Sequence, residues 1–352
     1  MNDIKQIMDI LYRDYYEKNE GFSDVTSSHW QKFGKGTTVK KNGDQFSIRG
    51  YGISSFRKRK KQTIKGSIYN KLMTILLNFV FRRMIKSKPI LKDYFGAPRL
   101  YWLPELDGPM NLMHRYLLLK HEAERRTSDC ALEITKILDI YFNFNHVQHI
   151  LSYDLIDSYG LFNTKDWICI IGDGHGFFAT LIKRMIPDAK IIIINLGRSL
   201  LIDAYRFSQV FPYESAMLVR GEPTDIQMMQ HNIFYMEAEN YKLLNGLPIS
   251  LFINIASMQE MNMNVIQKYF DLMRSSSVEP HFYCCNRVEK KLPDETVISF
   301  FDYPWKGSEI LVDELCPWYQ VYPTSKPPFW RPFDGPIHHR LVKLNRKQFN
   351  RN

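Results

Sequence analysis

The chain has 352 residues, 45% of them hydrophobic, a net charge of +10 and five cysteines. That much apolar sequence supports a sizeable core in one large domain or two. The cysteines show no C-x-x-C spacing and are odd in number, which argues against a disulfide framework or a zinc site and for a reducing compartment.

Residues 1–20 carry a helical pattern (Ile4, Ile7, Met8, Leu11, Tyr15) and lack the basic start, apolar stretch and cleavage site of a signal peptide. Residues 21–62 are polar and glycine-rich. Between Arg57 and Lys92 there are 12 basic residues and no acid. Such a run is a solvated face or a surface for an anionic substrate, an anionic membrane or nucleic acid. No aromatic-interleaved RNA module accompanies it, so no nucleic-acid partner is expected. The apolar stretch Leu72 to Phe81 falls well short of the ~20 residues that span a bilayer. A cytoplasmic protein is expected, with peripheral contact to an anionic membrane through 57–92. Residues 68–92 look helical, a Pro/Gly-rich connector follows, and Asn111 to Tyr141 is strongly helical, with Leu112, Tyr116, Leu119, Ala131, Ile134, Ile137 and Leu138 in register. Residues 1–150 therefore read as a mainly helical, basic region that covers substrate or binds a partner.

Residues 151–352 alternate strand and helix. Strands are expected at Trp167–Ile171, Lys190–Asn195, Met217–Val219, Ile233–Met236, Ser250–Ile255 and His281–Cys285. Helices are expected at Phe177–Met185, Ser199–Val210 and Asn262–Ser275, with a late strand pair from Trp318–Tyr322 and His338–Leu344. Cys169, Cys284 and Cys285 sit inside these apolar runs as core residues. The fold class is α/β, a Rossmann-like domain whose mostly parallel sheet carries helices on both faces. Ligands of such sheets bind at the carboxyl ends of strands where the strand order reverses.

"IIGDGHGFFATL" places Gly172, Gly174 and Gly176 after the first strand and before a helix. Gly172 supplies a turn closed to residues with a Cβ, Gly174 lets a ligand approach the backbone, and Gly176 allows close helix packing. Dinucleotides prefer G-x-G-x-x-G, and Phe177 stands at the sixth position, where its bulk crowds a pyrophosphate. S-adenosylmethionine has no phosphate and tolerates the shorter spacing. Its ribose diol needs a side chain at the tip of the second strand, where Asn195 can both accept and donate. Glu237 and Ala238 end a later strand, placed to meet an adenine amino group and ring. Asn254 ends the next one. An NAD(P)-linked oxidoreductase remains the alternative cofactor reading.

Four stretches, "IIGDGHGFFATL", "INLGRSLLIDAYRFSQVFP", "LFINIASMQEMNMNVIQKYF" and "HFYCCNR", resemble the bacterial sugar O-methyltransferase family, which is Rossmann-like and S-adenosylmethionine-dependent. The likeness covers roughly Tyr153 to Arg287, with an echo at "SSHW". Its most family-specific part is Asn254, Ser257, Glu260 and Met261. Two positions depart from the family: Ile170 and Asn195 stand where acids are usual, and Asp173 partly compensates for the first. The resemblance implies S-adenosylmethionine held by Gly172, Asp173, Gly174, Gly176, Asn195, Leu196, Glu237, Ala238 and Asn254. It implies methyl transfer to a sugar hydroxyl of a surface polysaccharide, or of its nucleotide- or lipid-linked precursor. A catalytically degenerate binding or assembly protein is the non-enzymatic reading.

Methyl transfer to a hydroxyl needs a group that takes its proton. His175 in the glycine loop and Glu260 after the fourth core strand are the candidates, with His281 and the pair His338-His339 in reserve. Ser257, and Trp330, Arg331 and His338 from "PPFWRPFDGPIHHR", are candidate acceptor contacts, because sugars stack on aromatic faces and bond to polar side chains. No metal is expected, since adjacent histidines on a strand face opposite sides. A homo-oligomer is compatible with the sequence.

Overall fold

The computed structural model describes residues 4–18, 27–29, 38–43, 45–49, 72, 75, 108–162, 167–222, 224–324, 328 and 330–346. The basic stretch Arg57–Lys92, apart from Leu72 and Ile75, lies outside them. The chain forms two compact units. The first takes Met1–Tyr51, Ile156–Cys316 and Gly335–Asn352; the second takes Gly52–Leu155 and Pro317–Asp334. The first 51 residues thus group with the sheet rather than with the helices that follow them, a division other than a cut at 150.

In the first unit, helix α1 (Ile4–Tyr12) precedes a hairpin of β1 (Thr38–Asn42) and β2 (Gln45–Arg49). Then come β3 (Trp167–Ile171), α2 (Phe177–Met185), β4 (Lys190–Asn195), α3 (Gly197–Val210) and β5 (Ala216–Val219). Short α4 (Asp225–Gln230), β6 (Ile233–Glu237), β7 (Ile249–Ile255), α5 (Met263–Arg274) and β8 (His281–Arg287) follow. The unit closes with β9 (Ser308–Leu315) and β10 (Ile337–Leu344).

Eight of these strands form one sheet in the order β9-β10-β8-β7-β3-β4-β6-β5. All pairings from β8 to β5 are parallel, and β10 runs antiparallel to both β8 and β9. The cause is legible in the side chains. Ile168 to Ile171 and Ile191 to Ile194 are at most 2% exposed, so both faces of β3 and β4 are covered, as a parallel sheet requires. Cys169, Cys284 and Cys285 are fully buried among them. From β3 the chain winds outward through β4 to β5 and β6, then returns to β7 on the other side of β3. The reversal opens a crevice above the carboxyl ends of β3 and β7.

Helix α1 belongs to this unit because its apolar stripe does. Ile4, Ile7, Met8 and Leu11 repeat at i, i+3, i+4 and i+7, are buried, and pack against α3. Burying each such side chain contributes roughly 1.5–3 kcal/mol.

The late strand pair differs from the sequence expectation. The partner of β10 is Ser308–Leu315, not Trp318–Tyr322. Strand β9 is a largely exposed edge, so it needs no apolar face. Pro317–Tyr319 instead makes a single 3₁₀ turn.

The second unit contains helices Gly108–Lys120, Arg125–Ile137 and Phe144–Ser158, the last crossing the unit boundary at its end. Met113, Leu117, Ala131, Ile134, Val147 and Leu151 are among its buried side chains. A ladder of Val321–Pro323 with Trp330–Pro332 belongs to it, and Trp330 meets Tyr116 edge-on with ring centroids 5.7 Å apart. Among the described residues no helix is long and apolar enough to cross a membrane.

Candidate functional site

The turn after β3 is built on glycine for steric reasons. Gly172 has φ +74°, and a Cβ there would lie 2.3 Å from Ser257 Oγ. Gly176 has φ +71°, and a Cβ would lie 2.7 Å from the backbone oxygen of Asp203. Among the described residues, no atom other than those of its chain neighbours stands within 4 Å of a Cβ built on Gly174. His175 between them is also at positive φ, +96°, as is Ala256 at +59° in the turn after β7. A non-glycine residue in that region stores about 1–3 kcal/mol of strain, which persists where the surroundings over-determine it.

Two buried carboxylates hold this turn. Asp173 accepts hydrogen bonds from the N–H groups of Phe178 (3.0 Å) and Ala179 (3.1 Å) at the start of α2. A carboxylate therefore already fills the place where a helix start would receive a phosphate. Asp203 of α3 accepts from the His175 N–H through Oδ1 (3.0 Å) and from Asn195 Nδ2 through Oδ2 (2.8 Å). Burial, and then the charge of Asp203, holds the Asp173 carboxyl well above the usual range. Burial pushes Asp203 up to about 7, against the opposing hydrogen bonds from Asn195 and His175 and the charge of Arg206.

This pair explains why the tip of β4 carries an amide. Asn195 donates to Asp203 and accepts from the Leu196 N–H through Oδ1 (2.9 Å). An aspartate there would set a third carboxylate against Asp203, a contact that is repulsive once both are ionised. The amide keeps one N–H and one lone pair beyond these two bonds.

Above the carboxyl ends of the strands is a cleft of about 440 Å³ including its open mouth, lined by Ser27, Gly172, Ile194, Asn195, Leu196, Ala238, Ser257, Glu260, Met261, Val265 and Tyr269. Its apolar walls with a few polar groups have the composition of a small-molecule site. Six of the sequence candidates meet here: Gly172, Asn195, Leu196, Ala238, Ser257 and Glu260.

The other candidates stand elsewhere. Glu237 is 3% exposed and all four of its acceptor positions are occupied. Oε1 accepts from Tyr15 Oη (2.7 Å) and Arg220 Nη2 (2.7 Å), and Oε2 from Arg220 Nε (2.9 Å) and Asn240 Nδ2 (3.4 Å). Its carboxylate is a structural anchor and has no acceptor left for an adenine amino group. Asn254 is fully buried and likewise saturated. Nδ2 donates to the Ile171 carbonyl (2.6 Å) and Ser257 Oγ (2.5 Å), while Oδ1 accepts from the Met258 N–H (3.0 Å) and Asn286 Nδ2 (2.8 Å). It braces the cleft floor from below. Asp173 and Gly176 serve the turn, and the His175 ring is not among the lining groups.

His281 starts β8, at the end of the sheet opposite the cleft. His338 Nε2 lies 2.5 Å from Asp313 Oδ1, between the rings of Phe300 and Phe301. His339 sits 3.3 Å from Tyr283 Oη and 3.4 Å from Glu314 Oε1. Trp330 and Arg331 belong to the second unit. Among the described residues no three His, Cys, Asp or Glu side chains gather as a metal site.

Glu260 faces the cleft, and burial pushes its carboxyl up to about 7 although Lys290 and Arg287 oppose this. That value suits a general base near neutral pH. Two neighbours were not singled out as site residues from the sequence. Ser27 Oγ donates to the Glu260 carbonyl oxygen, and His29 Nε2 lies 3.4 Å from Glu260 Oε1. The only trace of them was the "SSHW" echo, since more than 230 residues separate them from Glu260. Burial, and secondarily Lys290, pushes His29 down to about 4.

No family model matches this chain, and no curated protein matches it. Solved structures with partly similar backbones include a candidate RNA methyltransferase from Pyrococcus horikoshii at 10% identity and TM-score 0.40, over 65% of this chain and 100% of that one. A variant of MtNAS in complex with S-adenosylmethionine aligns at 9% identity and TM-score 0.36, over 81% and 100%. The plantazolicin methyltransferase BpumL in complex with SAH aligns at 12% identity and TM-score 0.35, over 66% and 96%. Similarity that low assigns neither an activity nor a substrate to this chain.

Proposed function

We propose that the first unit binds S-adenosylmethionine in the cleft above β3, β4 and β7 and methylates a hydroxyl group, the acceptor being a sugar of a surface polysaccharide or of its nucleotide- or lipid-linked precursor. The observation that carries the reading is Asn195. Its half-used amide, on the cleft wall beside the Gly172 turn, offers the one donor and one acceptor that a ribose diol matches. Ile194, Leu196, Ala238 and Val265 supply an apolar slot of the kind a flat heterocycle fills. Asp173, by capping α2, disfavours a pyrophosphate and hence a dinucleotide.

When bound, S-adenosylmethionine supplies an electrophilic methyl group on a sulfonium. The chain's residues do the rest. Asn195 and Leu196 hold the cofactor's nucleoside end, and Ser257 and Glu260 face the acceptor. Glu260 accepts the hydroxyl proton at a carboxylate oxygen. Incubation with methyl-labelled S-adenosylmethionine and a panel of free, nucleotide-linked and lipid-linked sugars tests the acceptor class. Label on a sugar supports it, and label only on RNA or peptide overturns it.

A binding protein without catalysis is the second reading, favoured by the complete occupation of Glu237. Binding of cofactor without transfer to any acceptor would select it. Contact of residues 57–92 with an anionic surface belongs to the same proposal. Co-sedimentation with anionic vesicles that vanishes on neutralising those cations supports it, and absence of binding at low salt removes it.

A further inference from the structure

The group that faces Glu260 comes from a segment far away in sequence. Glu260 stands beside Met261, Val265 and Tyr269, an apolar setting in which a lone carboxylate is costly. Among the described residues, the side chain within ion-pair distance of its carboxylate is His29, with Nε2 3.4 Å from Oε1. The same short segment also fixes the main chain, because Ser27 Oγ donates to the Glu260 carbonyl. Ser27 is 2% exposed and His29 7% exposed. Ser27 and His29 therefore contact the backbone and the side chain of a single cleft residue.

We propose that His29 is a positioning residue for Glu260: its imidazole Nε2–H donates to the carboxylate, aims it into the cleft and sets the pH at which it becomes a base. The inference rests on the reading of Glu260 as the proton acceptor given above. Burial keeps His29 neutral near pH 7, so it serves as a hydrogen-bond donor and not as a counter-charge. Lys290 acts electrostatically on both groups and Arg287 acts on Glu260. Burial raises the Glu260 value and these cations lower it; an Nε2–H donated across the 3.4 Å contact would add stabilisation of the charged form. During transfer the acceptor oxygen forms its bond to the methyl carbon as the sulfur–carbon bond breaks and that pair returns to sulfur. The hydroxyl proton goes to Glu260, which His29 holds in place.

The test needs no acceptor. In the full-length chain labelled with 13C at glutamate carboxyls, the Glu260 signal is assigned by its loss in Glu260→Gln and titrated in wild type, His29→Gln, His29→Ala and His29→Phe. His29→Phe fills the space without a donor, in case His29→Ala does not fold. Loss of the donor should raise the Glu260 midpoint by about one pH unit, and His29→Gln, whose amide still donates, should stay near wild type. An unmoved or lowered midpoint in His29→Ala or His29→Phe overturns the inference. Thermal shift with S-adenosylhomocysteine on the same samples separates the two claims. If wild type does not bind it, the cofactor reading fails whatever the titration shows. If wild type binds it and the midpoint does not rise, only the role of His29 fails.

Discussion

Asn195 Nδ2 donates to Asp203 Oδ2 at 2.8 Å, which ties the tip of β4 to the first turns of α3 and, through the His175 N–H, to the glycine turn. Asn195→Asp should therefore weaken the protein although it restores the usual acid. The replacement sets two carboxylates in contact. We expect a loss of roughly 1–3 kcal/mol of stability, larger at pH 8 than at pH 5, and weaker S-adenosylhomocysteine binding. Chemical denaturation at both pH values checks it; equal stability at pH 8 would mean that Asp203 does not face Asn195.

Asp203 itself gives stability a pH slope. Its folded value near 7 is above its ordinary 3.8, so its contribution is fully present below about pH 4 and is lost as pH rises through 7. Asp203→Asn should flatten the dependence of the melting temperature on pH between 4 and 7. A slope equal to wild type would assign the titration to another group.

Gly172→Ala meets two obstacles, a positive φ and Ser257. We expect a loss of more than ~1 kcal/mol together with loss of ligand binding. Ser257→Gly should recover part of the loss, because it removes the Oγ and Cβ that lie 2.3 and 2.7 Å from the new methyl. The backbone cost would remain. Strictly additive effects in the double-mutant cycle would contradict the close approach.

Arg220 joins the N-terminal segment to the sheet, pairing with Glu237 and, through Nη1, with Asp14 at 2.8 Å. The Tyr15 ring covers Gly197, where a Cβ would lie 2.1 Å from it. Arg220→Ala leaves the buried Glu237 carboxylate without its cation, while Asp14 keeps Lys18 at 3.2 Å and Arg13 at 3.5 Å. Since Arg220 is itself 40% exposed, we expect roughly 1–3 kcal/mol rather than the full cost of breaking a buried pair. Limited proteolysis should cut near residues 13–18 faster than in wild type. An unchanged cutting rate would detach the segment's order from this network.

Much of the sheet was legible because parallel strands buried on both faces are written as unbroken apolar runs, as in "WICII" and "KIIIIN". The turn was legible because only glycine tolerates Gly172 and Gly176 as placed. Strand β9 was not, since an exposed edge strand carries no such run. The roles of Glu237 and Asn254 were not legible either. Their positions at strand ends were right for ligand contact, but partners from distant segments, Tyr15, Arg220 and Asn286, consume their hydrogen bonds. His29 was hidden for the same reason. Its meaning depends on a contact that no local pattern encodes.

The cleft that includes Asn195 and Glu260 is proposed to hold S-adenosylmethionine. Isothermal titration calorimetry with S-adenosylhomocysteine tests it most directly, on wild type, Asn195→Ala and Glu260→Gln. We expect saturable binding to wild type, weaker binding to Asn195→Ala, and nearly unchanged binding to Glu260→Gln, whose turnover with an acceptor should instead fall by roughly 10²–10⁴-fold. No binding heat and no thermal shift at millimolar S-adenosylhomocysteine would contradict the account.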